Sequence, residues 1–211
     1  MKGIGVLISG GGTNLQAVMD AIDKGSIPAR INLVLSDRPN AYGLIRAQKS
    51  GIPAYCINRR DFADSTAFNQ AILNRLKEYQ VEYVVLAGYL SILSPELVEH
   101  YRNRIINIHP SLIPAFCGMG YYGPRVHKAV LDYGAKLTGA TVHFVDEGTD
   151  TGPIILQKAV PVMEGDTPQS LQKRVMEQAE WELLPEAVRL YSQGRLKIID
   201  NRVIIEEPGV K

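Results

Sequence analysis

Gly3-Ile4-Gly5-Val6-Leu7-Ile8-Ser9-Gly10-Gly11-Gly12-Thr13-Asn14-Leu15 opens the chain after Met1-Lys2, and its reading decides the fold. Its first half is an apolar run without polar alternation, which marks a strand covered on both faces. Glycines break the run. Leu15, Val18, Met19 and Ile22 then recur at i, i+3, i+4 and i+7, one face of a helix. Strand, glycine turn and amphipathic helix in that order predict the first βα unit of a parallel sheet. The apolar run is too short for a membrane span and ends in glycines, so neither a signal peptide nor a transmembrane segment is expected.

The unit recurs downstream. Residues 31–36 form the next strand, and Asn40 is a candidate N-cap for a helix stopped by Gly51 and Pro53. Asp64 caps a helix with Phe68, Ile72, Leu76 and Tyr79 on one face, followed by a strand over 83–87, a short helix over 95–101 and a strand over 104–108. Strands alternating with helices predict a mostly parallel α/β sheet with helices on both faces. The pattern then changes. Residues 136–146 and 153–162 are extended runs joined by Glu147-Gly148-Thr149-Asp150-Thr151-Gly152, too short for a crossover helix. They either pair as a long-looped hairpin or lie apart in the sheet with opposite directions. Thr167-Pro168 opens a helix through Leu171, Val175 and Ala179, and residues 197–199 and 203–205, turned by Asp200-Asn201, form a small terminal hairpin. With no repeat, linker or low-complexity tract, 1–211 reads as one domain.

Composition narrows the function classes. The chain has 211 residues, 45% apolar and 21% charged, as soluble globular proteins do. A net charge of +1 without a basic cluster argues against nucleic acid as a partner. Cys56 and Cys117 lie far apart outside any Cys-x-x-Cys pattern, which suits a reducing cytosol. His100, His109, His127 and His143 lack metal-ligand spacing, so no metal site is expected. Ser111 sits in no nucleophile elbow.

Ligands of open parallel sheets bind beyond the carboxyl ends of the strands. Three polar groups fall there. Ser9-Gly10-Gly11-Gly12-Thr13-Asn14 precedes a helix, where free N–H groups favour an anion such as phosphate; a tight turn without ligand is the plain alternative. It is no Walker A loop, and Leu15 stands where the third glycine of a dinucleotide fingerprint belongs. Asn107 and His109 flank Ile108, so on a strand they share a face. An amide beside an imidazole suits the oxyanion of acyl transfer, and a structural pair is the alternative. The loop from Asp146 to Pro153 carries carboxylates able to orient a histidine or accept protons, or merely to face solvent.

At these residues the sequence resembles the phosphoribosylglycinamide formyltransferases of purine synthesis. The likeness runs along nearly the whole chain. It is carried by the segment from Ser9 to Gln16, by Val85-Leu86-Ala87-Gly88-Tyr89, by Ile106-Asn107-Ile108-His109-Pro110-Ser111-Leu112, by Thr141-Val142-His143-Phe144-Val145-Asp146, and by Asp150-x-Gly152-Pro153. The resemblance implies a Rossmann-like sheet, with residues 1–100 binding the phosphorylated substrate and 101–211 binding folate and carrying catalysis. It implies direct transfer of a formyl group from 10-formyltetrahydrofolate, as co-substrate, to the amine of 5-phosphoribosylglycinamide. Asn107, His109 and Asp150 are the implied catalytic set, with protonated His109 and Asn107 stabilising the oxyanion and Asp150 raising the His109 pKa and relaying a proton.

Gly12, Thr13 and Asn14 match the phosphate loop, and Glu180 the carboxylate that meets the ribose. Leu90, Ser91, Ile92, Leu93 and Asn107, with Asp146, Glu147, Gly148, Thr149 and Asp150, match the folate-binding segments. Ser91 and Ser65 stand where relatives carry Arg, one extra residue lies between Arg174 and Glu180, and the loop over 116–126 is long, either a lid or a surface insertion. Small-molecule substrates, a cytoplasmic location and a monomer or homodimer are implied. Two alternatives remain: a 10-formyltetrahydrofolate hydrolase, whose relatives carry an additional N-terminal domain not expected here, and a noncatalytic Rossmann-like nucleotide-binding module.

Overall fold

A computed structural model describes residues 1–207, and the chain divides into two compact units, Met1–Asn107 and Ile108–Lys211. In the first unit β1 (Lys2–Ile8), β2 (Ala29–Ser36), β3 (Ala54–Cys56), β4 (Tyr83–Leu86) and the part of β5 (Ile105–His109) up to Asn107 lie in the order β3-β2-β1-β4-β5, each pair parallel. Between them run α1 (Thr13–Asp23), α2 (Tyr42–Lys49), α3 (Ser65–Glu78) and α4 (Pro95–His100). The chain winds outward from β1 first to β2 and β3, then to β4 and β5. The order therefore reverses beside β1, and the glycine turn after β1 sits at the switch point where such sheets bind ligands.

Burial explains these elements. Residues 3–8 of β1 are all buried, as the continuous apolar run requires. Leu15, Val18 and Met19 form the buried face of α1, and Phe68, Ile72 and Leu76 that of α3. Asp64 caps α3 as expected, its carboxylate accepting from Ala67 N at 2.8 Å. Asn40 does not cap α2. Pro39 and Asn40 form a turn closed by Ala41 N donating to Arg38 O at 3.3 Å, and Ala41 takes the cap position without a side-chain bond. Proline presets the first central residue of such a turn, and this delays the helix by one residue. The short edge strand β3 was not legible, because only three residues pair.

In the second unit β6 (Leu137–Phe144) and β7 (Ile154–Pro161) pair antiparallel, from Leu137↔Pro161 to His143↔Ile154. Of the two arrangements open in the sequence, the long-looped hairpin is the one adopted. Gly152 makes it possible: a Cβ there would lie 1.9 Å from the Phe144 carbonyl oxygen, where the chain returns so that Phe144 N donates to Pro153 O at 2.9 Å. A helix missed in the sequence, α5 (Pro124–Tyr133), precedes β6; it starts at Pro124 and stops at Gly134, in the left-handed conformation.

The long helix predicted after Thr167 is real but not uniform. Thr167 Oγ1 accepts from Ser170 N, opening α6 (Pro168–Val175). A π-helical turn, Met176–Glu180, leads into α7 (Trp181–Ser192). A π turn holds one residue more than an α turn. Residues 176–180 are thus the widened part of this helix, between Val175 and Trp181. β8 (Leu196–Ile199) and β9 (Arg202–Ile205) form the terminal hairpin, with Asp200 and Asn201 at φ 47° and 61°. Two positive φ values suit the turn type that matches strand twist.

Gly152→Ala is expected to destabilise the protein by about 1–3 kcal/mol, the range for forcing atoms into filled space. A urea midpoint unchanged from the parent protein would show that the Phe144 carbonyl yields freely.

Candidate active site

His109 ends β5, beyond the residues that pair with β4, and the backbone turns into Pro110. Its ring is buried, at 5% side-chain exposure. Nε2–H donates to the Phe116 carbonyl at 3.0 Å, and Nδ1 lies 3.5 Å from Asp150 Oδ2. Asp150 comes from the β6–β7 loop and sits at φ 59°, in the left-handed region that Asp tolerates better than most residues. Its Oδ2 accepts from Gly118 N at 2.9 Å, and its Oδ1 lies 3.6 Å from His143 Nε2. His143 on β6 is fixed from its far side, Nδ1–H donating to Phe144 O at 2.8 Å. One carboxylate thus lies between two buried imidazoles and one backbone N–H.

The electrostatics follow from this enclosure. Burial alone would raise the Asp150 carboxyl, but His143, His109 and the Gly118 N–H together hold it below the usual carboxylate range. His109 goes the other way. Burial pushes its pKa below 6.5, and Asp150 and the Phe116 carbonyl oppose that without overcoming it. Asp150 does act upward on His109, as the resemblance implied, but the net shift is downward. The pair therefore rests at neutral pH as an ionised carboxylate beside a neutral imidazole. Burial, followed by the proximity of His109, lowers fully buried His127 on α5 further, to about 4.

Loop architecture holds these groups. Thr141 Oγ1 donates to Ser111 O at 2.7 Å and accepts from Ile113 N and Gln157 Nε2, so the segment after His109 is pinned to β6 and β7. Ser111 donates its hydroxyl to Ala115 O at 2.6 Å, a further tie within this segment. Asp146 Oδ1 accepts from Gly148 N and Thr151 Oγ1, shaping the loop from within, while Glu147, Gly148 and Thr149 are exposed. Asn107 precedes His109 by two residues on the same strand. Glu180 ends the π turn and is buried.

The predicted residues of the first unit lie at the sheet's switch point. Gly12, at φ 69°, precedes α1 and gives it no side-chain cap. Thr13 and Asn14 are the first residues of α1. The preceding turn is tied to the segment after β4: Ser9 N donates to Gly88 O at 3.1 Å, and Ser9 Oγ accepts from Leu90 N at 2.8 Å. Ser91 donates to Asp37 Oδ2 at 2.6 Å, whereas Leu90 and Ile92 expose their side chains. Ser65 starts α3, its carbonyl accepting from Asn69 Nδ2 at 2.9 Å. Among the described residues, no helix is long and apolar enough to cross a membrane, and no group of three His, Cys, Asp or Glu is placed to hold a metal ion.

The formyl transferase family model matches residues 2–188. The chain belongs to this family. It is 39% identical over 206 residues to a phosphoribosylglycinamide formyltransferase of Haemophilus influenzae, covering 98% of this chain and 94% of that protein. The crystal structure of glycinamide ribonucleotide transformylase 1 from Symbiobacterium toebii superposes with a TM-score of 0.93 at 47% identity, covering 98% and 95% of the two chains. A formyltetrahydrofolate deformylase from Pseudomonas syringae superposes with a TM-score of 0.87 at 26% identity, the match covering 98% of this chain and 66% of that one. The fold is thus shared by a protein named as a transformylase and one named as a deformylase. His143, Phe116 and Gly118 are the parts of the cluster that sequence reasoning missed. The two loop residues act through backbone atoms; His143 carried one signal, its place two residues after Thr141 on the same face of β6.

Two titrations test these electrostatics. In imidazole NMR, His109 titrates below 6.5 and Asp150→Asn moves it lower still, since the substitution removes a charge that favours protonation; an upward move would contradict the assignment. His127 has its folded pKa, about 4, below its unfolded value. It therefore contributes stability above pH 6.5 that is lost as pH falls toward 4. Urea midpoints between these pH values are expected to fall less steeply in His127→Leu than in the parent protein.

Proposed function

We propose that this formyl transferase moves the formyl group of 10-formyltetrahydrofolate to the amine of 5-phosphoribosylglycinamide, a step of purine biosynthesis, with Asn107, His109 and Asp150 as its catalytic residues. The observation that carries the reading is a buried His109–Asp150 contact at 3.5 Å, on the strand that holds Asn107, in a chain 39% identical to a phosphoribosylglycinamide formyltransferase.

The chemistry needs little beyond these groups. The neutral amine attacks the formyl carbon, a C–N bond forms, and the carbonyl electron pair moves onto oxygen. Asn107 donates its amide N–H to that oxyanion, and His109 donates from Nε2, exchanging Phe116 O for the new acceptor. A proton leaves the attacking nitrogen by way of Asp150 or water and reaches N10 of the folate as the C–N10 bond breaks and the carbonyl re-forms. A depressed Asp150 pKa keeps the carboxylate ready to accept.

On this reading Gly12, Thr13 and Asn14 hold the substrate phosphate and Glu180 the ribose. Leu90, Ser91, Ile92 and Leu93, with Asp146, Glu147, Gly148, Thr149 and Asp150, line the folate. Residues 1–100 then serve the phosphorylated substrate, and 101–211 serve folate and catalysis, in a cytoplasmic monomer or homodimer.

Hydrolysis of the same formyl donor is the second reading, favoured by the likeness to the deformylase. Unformylated tetrahydrofolate is expected only when the ribotide is supplied; steady formate release without it would identify a hydrolase. Asn107→Ala is expected to lower kcat about 10²–10³-fold, the loss of one oxyanion donor, with the melting temperature nearly unchanged.

A further inference from the structure

α2 grips the glycine turn at three successive residues. Gly43 N donates to Gly10 O at 3.1 Å, Arg46 Nε donates to Gly11 O at 2.8 Å, and a Cβ on Gly12 would lie 2.6 Å from Gly43 Cα. Arg46 is itself fixed. Its Nη1 donates to Gln16 Oε1 at 3.1 Å, Gln16 in turn donates to Asp20 Oδ1 at 2.8 Å, and the guanidinium stacks on the Tyr42 ring, 5.1 Å from the centroid. Yet among the described residues Arg46 forms no ion pair, and its Nη2 makes no hydrogen bond. Arg46 is thus held in place with no carboxylate to neutralise it.

We propose that Arg46 is a positioning residue for the phosphate of the acceptor. It ties down the Gly11 carbonyl and sets a full positive charge beside the turn that opens α1. A helix N-terminus offers about half a positive charge, whereas a phosphate monoester carries about −1.5 to −2 near neutral pH. Gly12, Thr13 and Asn14 contribute no cation. Arg46 supplies one to the same turn. The inference rests on the formyl-acceptor reading only in naming whose phosphate is bound.

Its test compares the phosphorylated acceptor with ribosylglycinamide, which lacks the phosphate. In Arg46→Ala, KM for the phosphorylated acceptor is expected to rise about tenfold or more, the scale of an interaction with a charged group. The kcat, the KM for formyl-folate and the rate with the dephosphorylated acceptor should stay within about twofold. Arg46→Lys, which keeps the charge but loses the fork, should fall between. Equal losses with both acceptors would overturn the proposal, because a structural defect does not discriminate by phosphate. Calorimetric binding of inorganic phosphate provides a readout independent of turnover, and Arg46→Lys covers the case in which the alanine variant does not fold. Weaker phosphate binding in the variant supports the role of Arg46, and an unchanged affinity overturns it. Absence of acceptor-dependent turnover in the parent protein, with phosphate binding still sensitive to Arg46, would instead sink the formyl-acceptor reading while leaving Arg46 as an anion residue.

Discussion

Asp150 is a charge that must be kept out of water, and much of the second unit is arranged around that requirement. A buried carboxylate tends to take up a proton unless its oxygens are matched by donors or positive charge. Here Oδ2 meets Gly118 N–H and faces His109, while Oδ1 faces His143. Each partner comes from a different element: β5, the turn after Phe116, and β6. The backbone at Asp150 adopts a left-handed conformation, and the chain two residues later passes so close to Phe144 that only glycine fits. Strain at one residue and the lack of a side chain at another are both consequences of delivering this carboxylate to its partners.

On the proposed reading the first unit meets an opposite requirement, to receive an anion rather than to contain one. Its turn after β1 carries no acidic side chain and is held by main-chain contacts from α2 and from the segment after β4. Glycine at position 12 serves two ends there. It takes φ 69°, and it lets α1 and α2 approach to a distance that any Cβ would prevent.

The parallel half of the fold was legible because its strands are buried on both faces and its helices on one, so hydrophobic periodicity reports them directly. The terminal hairpin was legible for a local reason, two residues tolerant of positive φ between two apolar pairs. β3 and α5 were missed, the first for its brevity and the second because it follows a glycine-rich stretch from which no apolar period emerges. At the site, Asn107, His109 and the acidic loop from Asp146 stood out as chemical groups at strand ends, and the family resemblance picked Asp150 out of that loop. What surrounds them did not. Phe116 O and Gly118 N are backbone atoms that any residue type supplies, and the net fall in the His109 pKa is set by burial, which three-dimensional packing determines and spacing does not. The acidic loop illustrates the same limit. Asp146 and Asp150 are alike in sequence, yet one folds the loop on itself and the other faces two histidines.

If Asn107, His109 and Asp150 are the catalytic residues, the choice between an amine and water as formyl acceptor cannot reside in them. An amide donor, an imidazole and a carboxylate stabilise the same tetrahedral oxyanion whichever nucleophile attacks, and a transferase and a deformylase share this fold. Selectivity must come from binding energy available to one acceptor and not the other. Water carries no phosphate. A site that anchors phosphate places its amine beside the formyl carbon at high effective concentration, whereas water gains nothing from the same contacts. On the proposed reading, the glycine turn and the arginine that braces it would make this protein a transferase, and the His109–Asp150 pair would make it a catalyst.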